Sequence, residues 1–149
     1  MLNFIITIIS AIIIVIIGQM IVRLTIIPIQ KQRELIMEIK TSLAFYADIH
    51  TQLVDDSKSY TEAKIEFRKF ATELDGKTYI IVGYWLFEVM GLVLPRENIK
   101  NGHSALIGLS NRLSKFKDYE TVEEDTEFIE SNVNEMNKLV NEIKENLKI

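Results

Sequence analysis

The sequence predicts an all-α chain, an N-terminal transmembrane helix followed by a cytoplasmic helical bundle of four to five helices. Three observations carry this. Residues 1–27 hold one charge, Arg23, and run from Phe4 to Ile17 almost entirely in Ile, Val and Ala. A helix needs about 20 consecutive apolar residues to cross roughly 30 Å of hydrocarbon. Downstream, apolar residues recur at steps of three and four, the period of an amphipathic helix. Two prolines and six glycines leave too little punctuation for an all-β chain.

The first element, residues 1–27, reads as an uncleaved anchor. A cleaved secretory signal carries a basic start, a short apolar region and a small-residue cleavage site. Here no Lys or Arg precedes Arg23, and Gly18-Gln19-Met20-Ile21-Val22 lacks the Ala-x-Ala pattern. Lys and Arg flanking a span stay in the cytoplasm. Arg23, Lys31, Arg33 and Lys40 all follow the apolar run, so the N-terminus is expected outside and residues 28–149 inside. Asn3, Thr7, Ser10, Ala11, Ile14 and Gly18 share one face of the anchor, and small or weakly polar residues allow close helix approach in lipid. Self-association is one reading of that face; incidental tolerance of such residues is the other.

Pro28 disfavours the α conformation at Ile27, which predicts an end or kink at the membrane exit and a pivot for the domain. Gln30 to His50 then reads as an amphipathic helix, with Leu35, Ile36, Ile39, Leu43 and Tyr46 on one face. Thr51 to Ser59 is loop chemistry. Thr61 is a plausible N-cap for a helix from Glu62 to about Leu74, which Asp75 and Gly76 would close, since Gly favours the left-handed stop. Glu66 is set to pair along that helix with Arg68 or Lys69.

Tyr79 to Leu94 is the ambiguous stretch. It is apolar except for Gly83, Glu88 and Gly91, and it holds the only tryptophan, Trp85. It is short for a second span and would bring Glu88 into hydrocarbon. The favoured reading is a central helix with Trp85 and Phe87 in the core, ending at Gly91 and Pro95; a re-entrant or interfacial hairpin is the rival. Arg96 to Leu113 carries a moderate helical signal that weakens at Gly102 to Ser104. Residues 122–148 form a heptad-patterned C-terminal helix whose Ile129, Val133, Met136, Val140, Ile143 and Leu147 suit a coiled-coil seam or one stave of a bundle. Its length suggests that Val140, Ile143 and Leu147 pack near Leu35 and Ile39 or on a second copy.

Composition narrows function. The chain has no cysteine, so disulfides, thiolate metal sites and cysteine nucleophiles are excluded. The net charge is −4 with both signs interspersed, unlike the concentrated basic face of a nucleic-acid binder. The acidic excess lies between Asp118 and Glu130, where it would avoid an anionic inner leaflet.

Tyr46, Asp48 and His50, with Asp55 and Asp56 following, could coordinate a metal or form an acid–base pair. Catalytic metal sites commonly use three protein ligands, and the histidines are only His50 and His103. A solvated helix end is the simpler reading. Glu88 is a candidate for a raised pKa or for an ion pair with Arg68, Lys69 or Arg112. Ala105 to Arg112 contains no nucleophile elbow and no phosphate-binding glycine loop; its Gly108 and Ser110 fit close helix packing, and Asn111 could reach Tyr46 or Tyr84. No catalytic residue, cofactor site or metal site is expected.

Pro28 to His50 (PIQKQRELIMEIKTSLAFYADIH), Glu66 to Leu74 (EFRKFATEL) and Leu106 to Leu113 (LIGLSNRL) resemble a family of small bacterial single-pass membrane proteins of unknown function. The resemblance covers about Pro28 to Leu113 and implies placement in the bacterial inner membrane without a chemical role. Together these features favour a non-catalytic, membrane-anchored interaction or scaffold module. Its expected partners are the bilayer, a second copy through the anchor or C-terminal helix, and an unknown protein, with no nucleic acid. The rivals are a membrane-acting effector that inserts Tyr79 to Leu94, and an enzyme on membrane-derived substrates using Glu88, Tyr46 or His50.

Overall fold

The computed structural model describes residues 2–47, 57–117 and 126–149 of the 149-residue chain. Regular structure among the described residues is entirely helical. Helix α1 (Leu2–Ile21) passes through a π-helical turn (Val22–Ile26) into α2 (Ile27–Phe45). Then come α3 (Ser57–Tyr79), the short α4 (Tyr84–Val89), α5 (Arg96–Lys117) and α6 (Thr126–Leu147).

The break expected at Pro28 is absent. Residues Asn3–Phe45 form one helical rod, and Ile26 and Ile27 both keep right-handed helical angles. In a regular α-helix the Pro28 ring would clash with the Leu24 carbonyl, and Pro28 has no N–H to donate. The π-turn just upstream removes the conflict by widening the helix: the Ile27 N–H donates to the Val22 carbonyl, five residues back. The helix therefore runs on through Pro28 instead of ending there.

Four helices contribute to one core. Leu35, Ile39 and Leu43 come from α2; Ala63, Phe67, Ala71 and Leu74 from α3; Leu106, Leu109 and Leu113 from α5; Met136, Val140, Ile143 and Leu147 from α6. Each large aliphatic or aromatic side chain buried here contributes about 1.5–3 kcal/mol. Helix α5 packs along both α3 and α6, whereas α2 packs chiefly on α3. Helix α5 runs unbroken through its weak middle, where Gly102 lets α6 pack closely. A Cβ there would lie 2.8 Å from Leu147 Cδ2, so the absent side chain lets the end of α6 approach; at Gly108 the corresponding distance to Leu139 Cδ2 is 3.1 Å. Arg112 joins the same two helices by donating to Asn132 Oδ1 at 3.1 Å and pairing with Glu135.

The C-terminal stripe is covered within the chain, mainly by α5, and its distal residues join the cluster that holds Leu35 and Ile39. Residues 122–125 and the Ile129 side chain lie outside the described residues.

Helix α3 is longer at both ends than expected. It begins at Ser57, so Thr61 lies inside it and is not its N-cap. It also runs through Asp75 and Gly76 to Tyr79. The last turn is held by cross-helix and local contacts. Gln32 donates to Thr78 Oγ1 at 2.7 Å, Thr78 donates to the Leu74 carbonyl at 2.7 Å, and Lys77 pairs with Glu73 at 3.1 Å. The left-handed glycine comes later, at Gly83 with φ 71°, where it precedes α4.

Candidate functional site: an apolar segment docked beside the long helix

The central helix expected over Tyr79 to Leu94 is a short helix between two left-handed glycines, Gly83 and Gly91. Six residues of helix can bury one face only, and that face carries Tyr84. Tyr84 packs with Ile29 and Ile81, and Phe87 and Val93 lie half-buried against the three. Trp85 points the other way and is 67 % exposed, which corrects its expected place in the core. Ile80, Val82, Val89 and Met90 are exposed with it.

The segment is fixed by polar contacts as well as by packing. The Tyr84 hydroxyl donates to the Leu94 carbonyl at 2.6 Å, and the Arg96 guanidinium sits 5.0 Å from the centre of the Tyr84 ring. Arg33 of α2 donates to the Leu92 carbonyl at 2.6 Å. Burial pushes the Tyr84 phenol above its ordinary pKa. Glu88 is half-buried and lines a cleft of about 590 Å³ with Gln32, Arg33 and Leu147. Its expected partners are elsewhere: Lys69 pairs with Glu73, Arg112 with Glu135, and Arg68 is exposed.

A second polar site lies between α2 and α3. Ser42 Oγ donates to Glu66 Oε1 at 2.5 Å, and the Tyr46 hydroxyl donates to Glu66 Oε2 at 3.0 Å. Glu66 thus binds across to α2 instead of along its own helix. The Tyr46 ring stands edge-on to Phe67, with centroids 5.8 Å apart. Burial first, then the Glu66 hydrogen bond and charge, push the Tyr46 pKa up to about 12. The phenol accordingly keeps its proton at neutral pH and serves as a donor. Above this pair runs an open groove of about 1000 Å³ with Met37, Thr41, Ile65 and Lys69 on its walls.

Other candidate groups take structural places. His103 Nδ1 lies 2.9 Å from the Ala71 carbonyl, joining α5 to α3. Asn111 is exposed, and Tyr46 and Tyr84 bond to other groups. Ser110 donates to the Lys64 carbonyl at 3.0 Å, consistent with the close packing expected of that stretch. In α1, Thr7 donates to the Asn3 carbonyl at 2.9 Å within its own helix. Asp48, His50, Asp55 and Asp56 lie outside the described residues. Among the described residues no group of three or more His, Cys, Asp or Glu is placed to hold a metal ion.

The apolar face of the segment was not identified from the sequence. The signal that could have revealed it is the pair Gly83 and Gly91, spaced so that no long helix fits between them. No family model, curated protein or solved structure matches the chain.

Proposed function

We propose that this chain is a membrane-anchored, non-catalytic helical interaction module. In this reading α1 spans the bacterial inner membrane with its N-terminus outside, and α2 to α6 form a cytoplasmic bundle. The supporting observation is a change of environment along one continuous rod. Every residue from Asn3 to Leu24 is exposed, whereas α2 carries Leu35, Ile39 and Leu43 into the protein core. Exposed aliphatic residues on all faces suit a lipid solvent. The charges following α1 support the orientation, and the bacterial placement rests on the resemblance over Pro28 to Leu113.

Self-association is assigned to α1, because the stripe on α6 already has its cover within the chain. A protein partner is assigned to the groove lined by Ser42 and Glu66, whose mixed apolar and charged walls suit an amphipathic helix. The exposed face around Trp85 supports a second reading, a membrane-acting effector that inserts this segment.

Crosslinking in cells through surface lysines, followed by mass spectrometry of the membrane fraction, tests the proposal. It is expected to recover links from Lys69, on the groove wall, to another chain. Links confined to single copies of this chain would overturn the interaction reading.

A further inference from the structure

We propose that the face formed by Ile80, Val82, Trp85, Val89 and Met90 lies in the headgroup layer of the membrane that α1 crosses, on the side of the helical core. This rests on the anchor reading above. Large exposed apolar patches on a folded domain mark contact surfaces. Here Val89 is 80 % exposed, and no charged residue occurs from Thr78 to Phe87.

The height of the segment identifies its occupant. The exposed stretch Asn3–Leu24 comprises 22 residues; at 1.5 Å per residue it is about 33 Å long, close to the roughly 30 Å of hydrocarbon. Ile29, which packs directly on Ile81 and Tyr84, follows five residues later, a rise of about 8 Å. The headgroup layer on each side is about 5–8 Å thick. The segment is thus held at the membrane surface by a helix that runs unbroken out of the span. Val22, Leu24, Ile26 and Ile27 are also exposed, so apolar surface leads from α1 toward the patch. A partner from the aqueous phase would have to bind among the headgroups to cover it.

The chemistry also suits that depth. Trp and Tyr favour the membrane–water interface, and Trp85 and Tyr79 are both exposed. Arg33 and Arg96 tie the segment to the core, through the Leu92 carbonyl and the Tyr84 ring. The consequence is a second membrane contact that, with α1, sets the orientation of the core above the bilayer.

Trp85 is the only tryptophan, so the full chain in vesicles of phosphatidylethanolamine and phosphatidylglycerol carries its own probe. Its emission should be blue-shifted, shielded from acrylamide, and quenched more by lipids spin-labelled near the headgroup than by those labelled deep in the chain. A Trp85→Phe, Ile12→Trp double variant reads α1 independently and should be quenched best by the deep label. If that variant behaves as expected while Trp85 is open to acrylamide and unquenched by either lipid, the surface contact is overturned and the anchor stands. Trp85 shielded from acrylamide but unquenched by lipid would mean a protein cover, and also overturns it. If neither indole is quenched by lipid, the anchor reading fails first.

Discussion

Glu66 receives two hydroxyl donors from the neighbouring helix, one on each carboxylate oxygen, and this arrangement adds to burial in raising the Tyr46 pKa. Below pH 10 the phenol is protonated in both folded and unfolded chains. Between pH 10 and about 12 the unfolded chain releases this proton while the folded chain retains it. Stability therefore falls as pH rises through that window, by on the order of 2 kcal/mol for a shift of this size. An absorbance titration at phenolate wavelengths should lose one late-titrating phenol in Tyr46→Phe; an unchanged curve would contradict the assignment. Tyr46 was legible as the polar tip of an amphipathic helix. Its partner was not, because Glu66 has charged neighbours along its own helix that sequence displays, whereas a cross-helix contact depends on how α2 meets α3.

At the scale of elements, the apolar period placed the principal helices correctly and the breakers misplaced several ends. Leu35, Ile36, Ile39, Leu43 and Tyr46, and the stripe residues Met136, Val140, Ile143 and Leu147, lie in the core as their spacing predicts, whereas Ile65 of α3 is exposed. Pro28 and Gly76 were read as stops, yet a π-turn absorbs the first and the Gln32–Thr78 contact carries α3 past the second. Gly76 is exposed inside a helix, and a Cβ there would meet nothing within 4 Å. Gly76→Ala should consequently stabilise the chain by about 0.5–1 kcal/mol, measured as a rise in denaturation midpoint in detergent. A loss of stability would instead fit the left-handed helix stop that the sequence suggested. Tyr79 to Leu94 reads as a core helix because an apolar run alone does not say which of its residues meet the rest of the protein. Gly83 and Gly91 turn the chain so that Tyr84 faces inward and Trp85 outward.

At the scale of the whole molecule, the broadest exposed apolar surfaces among the described residues are α1 and the face around Trp85. Both belong to or rest on one continuous helix that runs from Asn3 into the helical core. The central claim is that this rod crosses the membrane once, with the core in the cytoplasm. The chain contains no cysteine, so single cysteines report topology without background. In spheroplasts treated with a membrane-impermeant maleimide, Asn3→Cys should be labelled at once and Lys148→Cys only after lysis. Labelling of Lys148→Cys in intact spheroplasts would contradict the account.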